Sequence, residues 1–314
     1  MTARPNPTRL LSVGSIIADI SIDVQALPQR GGDVIGSPAR VSAGGGFNIL
    51  AAASRNGLST TFAGQHGTGP HGDRIRADLA AEGIAALMSP SERGDSGFCI
   101  VLVEPDGERT FVTSPGVEAS PGAVPLSDLR IGPADAVFVS GYDLCYPDLG
   151  PAIAAWIATL PASTYLMIDP GPLVAEIPPH ILDAVLLRAD ALTLNRREAG
   201  LLAGLGDPDA AVRDIVPRLA SGALLIVRDG PAGCLLVGEG MPLPGRRVPA
   251  PAVRMIDSTG AGDAHTGVFI ASLAAGLAPV DATRRANAAA AIAVTRRGPA
   301  TAPRTEELNA FLAA

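Results

Sequence analysis

The 314-residue chain contains no lysine; all 24 of its strongly basic residues are arginine. That absence removes whole classes of chemistry. A P-loop needs the lysine of GK[ST] on the β and γ phosphates, and a protein kinase needs an ion-paired lysine on a strand. Schiff-base aldolases and enzymes that hold pyridoxal phosphate covalently need a lysine amine. A genome rich in G and C is sufficient cause for the loss, and the mechanistic consequence holds whatever the cause. Cysteine is scarce too: Cys99, Cys145 and Cys234 are widely spaced and form no CxxC. This pattern fits small buried hydrophobes in a reducing compartment better than disulfides or a metal cluster. No dense basic run occurs, and the net charge is -7, so a surface that binds nucleic acid is not expected. No apolar run reaches the roughly 18 residues of a membrane span. Met1–Arg9 is Pro-rich without the apolar stretch of a secretory leader, so a soluble, cytoplasmic protein is the expectation.

What is present is a large supply of core. Hydrophobic residues make up 47% of the chain, enough for one large α/β domain or two smaller ones. Apolar runs alternate with helical patterns, which points to a mostly parallel sheet covered by helices. Strands are predicted at Leu10–Ile16, Ala136–Ser140, Tyr165–Asp169, Ala191–Leu194 and Leu224–Arg228. Helices are predicted at Asn48–Arg55, at His71–Gly83 with Ile75, Leu79 and Ala80 on one face, at Gly260–Leu277, at Ala282–Arg297 with Arg296 and Arg297 in the last turn, and at Thr305–Leu312. Ligands of open α/β sheets sit beyond the carboxyl ends of the strands, where Asp169, Asn195 and Arg228–Gly230 fall. Two stretches break the pattern. Residues 19–41 alternate and then become loop-like, and residues 96–112 read as a hairpin turning at Pro105-Asp106-Gly107. Together they predict a small sheet attached to the main one as a lid, with residues 1–314 forming a single domain.

The densest chemistry lies in Asp257-Ser258-Thr259-Gly260-Ala261-Gly262-Asp263, directly before an amphipathic helix. Two glycines and an alanine leave helix N-terminal amides uncovered, which is a ready anion site. Asp263 in the first turn is placed to accept a proton beside such an anion, a pairing that phosphoryl transfer needs. A plain helix start, with Asp263 serving only the dipole, explains the same residues equally well.

DSTGAGDAHTGVFIASLAAG resembles the C-terminal signature of the PfkB, or ribokinase-like, carbohydrate kinases, usually D-T-T-G-A-G-D-x-F. Ala43-Gly44-Gly45-Gly46-Phe47-Asn48 is similar to the N-terminal signature, Asn195-Arg196-Arg197-Glu198 to the family's N-x-x-E element, and Ala288–Gly298 to its late helix. The four motifs stand in the family's order. The resemblance implies a three-layer α/β/α core with a mostly parallel sheet and a small β-sheet lid. It implies ATP and Mg²⁺ as cofactors, with K⁺ as an optional one. It makes Asp263 the catalytic base, with the amides of Gly260, Ala261 and Gly262 as the anion hole. Asn195 and Glu198 would hold the Mg-bound phosphates, Glu198 through water. Arg228, Gly230 and Gly233 would line the nucleotide path, with Asn287 near the adenine. Asp257 and Thr259, with backbone carbonyls of Ala293, Arg296 and Gly298, match a monovalent-cation site. Asp19, Gly44, Gly45 and Asn48 match sugar-hydroxyl positions.

Taken alone, Asn48 reads as a helix cap and Asn195 as a strand-end turn residue. Asp169-Pro170-Gly171 reads equally as a turn or a ligand, Arg109 as a solvated strand residue rather than a substrate contact, and His265 as packing. The sequence also departs from the ribose-phosphorylating pattern. Ile17 replaces an asparagine, Gly45 replaces a lysine, Ser140-Gly141-Tyr142 lacks an acidic group, and Ala302 stands where a hydroxyl can complete the cation site. The substrate is therefore expected to be a small sugar or sugar-like alcohol. The alternatives are a nucleoside, met by Tyr142, Phe98 and Phe111, or a regulator that binds without turnover. A homodimer through the lid is the assembly that the resemblance suggests.

Overall fold

The computed structural model describes residues 6–122, 124–204 and 207–314, so most of the Pro-rich N-terminal stretch lies outside the described residues. Short runs of branched and aromatic residues form strands β1 (Arg9–Ser12), β2 (Ala18–Asp23), β3 (Arg40–Ala43), β4 (Ser59–Phe62), β5 (Ala85–Ala86), β6 (Phe98–Val103) and β7 (Arg109–Ser114). They are followed by β8 (Asp135–Ser140), β9 (Tyr165–Asp169), β10 (Ala191–Asn195), β11 (Leu224–Arg228), β12 (Cys234–Val237) and β13 (Arg246–Val248). The helices are α1 (Gly46–Arg55), α2 (Pro70–Ala81), α3 (Gly141–Cys145), α4 (Leu149–Ile157) and α5 (Pro179–Leu186). The later ones are α6 (Arg196–Ala203), α7 (Pro208–Ile215), α8 (Ala261–Ala274), α9 (Pro279–Ala293) and α10 (Thr305–Ala313).

Nine strands make one sheet in the order β13-β12-β11-β10-β9-β8-β1-β4-β5. From β5 to β11 the pairings are parallel, and β12 and β13 join antiparallel at one edge. Side chains alternate between the two faces, and each face carries its own core. Val137, Val139, Leu166 and Ile168 pack against α4, α5 and α7. Ala136, Phe138, Met167 and Ile226 pack against α1, α2, α8 and α9. Burying each such large side chain contributes about 1.5–3 kcal/mol, so helices on both faces follow from strands that are apolar on both. The result is the expected three-layer α/β/α arrangement.

A separate four-stranded sheet has the order β3-β2-β6-β7. Its β6–β7 hairpin turns at Pro105-Asp106-Gly107, with Gly107 at φ 86°. This is the small attached sheet anticipated from residues 19–41 and 96–112.

Several expectations shift. The first strand stops at Ser12 instead of Ile16. Ala80 is exposed, so α2 buries only Gly72, Ile75 and Leu79. Helix α9 ends at Ala293, which leaves Arg296 and Arg297 beyond its last turn. There Arg296 donates to the Thr301 carbonyl and pairs with Glu307 instead of serving the helix dipole. The antiparallel pair β12–β13 had no clear signal, because four apolar residues and a three-residue strand are too short to show a period. Among the described residues, no helix is long and apolar enough to cross a membrane.

Candidate active site

The chain leaves β1 toward β4 on one side and returns to pair β8 on the other, which opens a crevice at the carboxyl edge of the sheet. Polar residues line that edge in register: Ser140 lies opposite Asp169, and Asn195 opposite Arg228. The loop before α8 reaches the same edge.

Gly260 is the N-cap of α8 in a left-handed conformation (φ 71°), and no side chain caps the helix. A Cβ there would stand 1.8 Å from the Pro299 carbonyl oxygen, so both conformation and space require glycine. The opposing loop is fastened by Arg55, whose Nη1 donates to the carbonyls of Ala300 (2.7 Å) and Ala302 (3.0 Å) while Nη2 pairs with Glu82. No side chain caps the first-turn amides of α8; the Ala261 amide makes a long turn bond to the Ser258 carbonyl (3.3 Å), and those of Gly260 and Gly262 point to an anion site.

Asp263 sits one turn into this start. Asn48 Nδ2, from α1, donates to its Oδ2 at 2.9 Å. Burial pushes the Asp263 carboxyl up to about 6; the charge of Asp169 adds to the rise, and Asn48 and Arg228 oppose it. The helix dipole alone would have predicted a low value, but desolvation wins at this position. Asp19 on β2 is pushed up to about 7 by burial and by repulsion from Asp263. Gly44 lets the backbone pass beside it, since a Cβ would fall 2.1 Å from Asp19 Oδ2. Asp19, Gly44, Asn48 and Asp263, from four separate segments, are thus brought together, with Gly45 as the N-cap of α1. Asn48 lies inside α1 and bonds across to Asp263, so it is not a helix cap.

At the far edge, Asn195 and Glu198 satisfy each other. The Asn195 side chain accepts from the Glu198 amide (2.9 Å), and Glu198 Oε2 accepts from the Asn195 amide (2.7 Å). This is a capping box that closes the start of α6. Arg228 Nη1 donates to Asp169 Oδ2 (2.9 Å), Thr266 Oγ1 (3.2 Å) and the Gly262 carbonyl (3.3 Å), and Nη2 lies 3.6 Å from Glu198 Oε2. Asp169 accepts from the Gly171 amide, as the turn reading expects, and also holds Arg228. Gly230 and Gly233 bracket the turn from β11 to β12. Asn287 is buried, with its side chain fully engaged: Nδ2 donates to the carbonyls of Val248 and Pro249, and Oδ1 accepts from the Cys234 thiol. It therefore pins the chain leaving β13. His265 packs beside it, against Cys234 and stacked on Phe269. Among the described residues no three His, Cys, Asp or Glu side chains could hold a metal ion. A Mg²⁺ ion would take most of its ligands from phosphate and water.

Several members of the cation set already bond to the chain itself. Asp257 Oδ1 accepts from the Thr259 amide (2.8 Å), the Thr259 hydroxyl (2.6 Å) and Arg109 Nη1 (3.1 Å), and Oδ2 accepts from the Gly298 amide (2.9 Å). Burial works against the ionised form, but these amides, the hydroxyl and the guanidinium hold the carboxyl below its ordinary value. Ala302 has no hydroxyl, yet Thr301 Oγ1, one residue earlier, donates toward the carbonyls of Ala293 (3.2 Å) and Gly298 (3.4 Å). Arg109, read from the sequence as a solvated strand residue, also donates to Thr259 Oγ1 and to Ser258 Oγ (2.6 Å). The two segments stand 148 residues apart, so local pattern could not show the contact. Asp143, missed in the sequence, is buried beside Ser140 and accepts from the Ser15 amide and hydroxyl. A groove of about 1050 Å³ runs between the small sheet and residues 255–259 and 297–301, with Asp19, Ser42 and Thr259 on its walls.

Comparison with known proteins agrees with this geometry. A family profile described as "pfkB family carbohydrate kinase" matches residues 7–306. The uncharacterized sugar kinase YegV of Escherichia coli (strain K12) is 34% identical over 302 residues, covering 95% of this chain and 92% of the relative. Among solved structures, a ribokinase from Thermotoga maritima superposes with a TM-score of 0.80 at 22% identity, covering 97% of this chain and 99% of that one. An adenosine kinase from Sinorhizobium meliloti superposes with a TM-score of 0.81 at 20% identity, covering 99% and 100%. At these identities the two structures speak for the fold.

Proposed function

The chain belongs to the pfkB family of carbohydrate kinases, phosphotransferases with an alcohol group as acceptor, and on that premise we propose that it moves the γ-phosphoryl of ATP onto a hydroxyl of a small sugar or sugar-like alcohol. One observation carries the reading: a carboxylate, Asp263, stands in the first turn of an uncapped helix and is held by Asn48 from the acceptor side. Asp263 accepts the hydroxyl proton as the phosphoryl moves in line, and the amides of Gly260, Ala261 and Gly262 receive the negative charge of the phosphate. A carboxyl tuned toward neutral pH suits a proton acceptor better than one at its ordinary value. Arg228 lies beneath this loop and binds its Gly262 carbonyl, so it fixes the anion hole and brings positive charge in a chain that has no lysine. Mg²⁺ would be held by ATP phosphates and, through water, by Glu198, where it supplies charge neutralisation.

Asp19, Gly44, Gly45 and Asn48 form the acceptor end. Asp19 accepts hydroxyl protons and the Asn48 amide donates, a pairing suited to a vicinal diol. The small sheet acts as a lid over the groove, excluding water so that hydrolysis does not compete. Tyr142 is 43% exposed and Phe111 is 55% exposed. These rings favour a second reading, in which the sugar carries a base and the substrate is a nucleoside. The outer face of the lid presents Ile20, Ile22, Val41, Ile100, Leu102 and Val112, partly buried or exposed, and a second copy paired face to face would cover them.

An ADP-release assay across polyols, neutral sugars and nucleosides, with Asp263→Asn alongside, tests the proposal. Turnover on one class, lost by at least about a hundredfold in Asp263→Asn while ATP still binds, is the expected result. Full activity of that variant would remove Asp263 from the chemistry. A blank across the whole panel would leave a binding protein.

A further inference from the structure

We propose that the guanidinium of Arg109 is the resident cation of the Asp257 loop, taking the place of a monovalent ion from solution. The proposal rests on reading Gly260–Gly262 as the phosphate site, because Asp257-Ser258-Thr259 leads directly into it.

Three observations carry it. First, Arg109 meets the loop in three places, with Nη1 on Asp257 Oδ1 and Thr259 Oγ1 and Nη2 on Ser258 Oγ. A planar fork with several fixed donors suits three acceptors on consecutive residues better than a point charge would. Second, several of the oxygens an ion would need already have a donor from the chain. The Asp257 carboxylate accepts from four donors on its two oxygens, about as many as a carboxylate has sites for. The carbonyls of Ala293 and Gly298 both face the Thr301 hydroxyl. The residues of the cation set therefore do not leave an open cage. Third, the pair is half-buried and mostly shielded from water: the Arg109 and Asp257 side chains keep 17% and 19% of their exposure.

The source of the charge has a consequence. Arg109 opens β7, opposite Val103 on the groove face of the lid, so the cation reaches Asp257 only when the lid lies over the groove. An ion from solution would act on the loop at any lid position. Here lid closure and ordering of the phosphate loop become one event. The lid residue is tethered to its target, so its effective concentration does not depend on the medium.

The test compares potassium chloride with choline chloride at equal ionic strength, using the full chain. The expected result is that wild-type protein has the same melting temperature and the same turnover in both salts. Arg109→Ala melts lower in choline, recovers part of the loss in potassium, and loses turnover by about tenfold or more. Added methylguanidinium returns turnover to Arg109→Ala by refilling the site. The proposal is overturned if potassium raises the melting temperature or the rate of wild-type protein above choline, or if Arg109→Ala keeps both wild-type values. Should Arg109→Ala fail to fold, the wild-type comparison decides alone. The melting comparison needs no substrate, so it stands even if the kinase reading fails.

Discussion

Two helices begin at the carboxyl edge of the same sheet and treat their free amides in opposite ways. Helix α6 is closed by its own side chains, Asn195 and Glu198 each satisfying the other's backbone. Helix α8 starts at a left-handed glycine with no side-chain cap. A helix end left open within a protein has a cost that some partner must offset. The capped start is where the protein finishes its own hydrogen bonding, and the open start is where the proposed phosphate site lies. Arg228 joins the two ends, touching Gly262 of one and Glu198 of the other.

The strongest way to break this contrast is to fill the open end. Gly260→Ala places a methyl group 1.8 Å from the Pro299 carbonyl and forces a left-handed conformation on alanine. The loop must then shift and the amides lose their aim, which should cost about 10²–10³ in turnover, the scale of losing an oxyanion donor. Acceptor binding, read by the thermal shift with the best substrate of the panel, should change little. If turnover survives and only stability falls, the open amides are not the phosphate site.

The contrast was half legible before any coordinates. The α8 start and its Asp263 stood out because glycines at a helix entrance are a local signal, and the parallel strands Tyr165–Asp169 and Leu224–Arg228 were read with their observed bounds. The capping box is present in the N-x-x-E spacing too, but an asparagine at a strand end suits a turn equally well, so the spacing alone does not single out its exchange with Glu198. Arg109, Asp143 and the Asn287 contacts were not legible, because each depends on a partner 39 to 148 residues away. Thr301 was missed by one position: the hydroxyl sought at 302 comes from its neighbour. Side chains that face ligands have local motifs, whereas side chains that hold a loop in place are defined by tertiary contacts.

A pH series sharpens the open end. Asp263 and Asp19 face each other and are raised to about 6 and about 7, each by burial first. Both are acids whose folded value exceeds the unfolded one. Their ionised forms therefore weaken the fold above pH 7, and this penalty is relieved as pH falls toward the ordinary carboxylate range. The expected kcat/KM profile loses activity as pH drops through 7 and 6, because a protonated Asp263 cannot accept the hydroxyl proton. Asp19→Asn removes one of the facing charges. It should raise the melting temperature at about pH 8, and the gain should shrink as pH falls through 7 toward the ordinary carboxylate range. A melting temperature at about pH 8 that stays in place in Asp19→Asn would mean that the ionised Asp19 does not burden the fold.

The smallest effect belongs to the closed end. Asn195→Ala deletes the acceptor for the Glu198 amide and frees Glu198 Oε2 from its fixed position on the Asn195 backbone. Losing such a cap costs about 1 kcal/mol, so the melting temperature should fall by only about 2–4 °C. Turnover at saturating ATP should be almost unchanged. The KM for Mg-ATP should rise a fewfold, because Glu198, proposed to reach Mg²⁺ through water, would no longer be held in one rotamer. The opposite pattern, with stability intact and turnover lost by a hundredfold, would place the Asn195 side chain on the ligand instead of on its own helix. Both helix starts would then be ligand sites, and the difference between them would lie in which part of the nucleotide each receives.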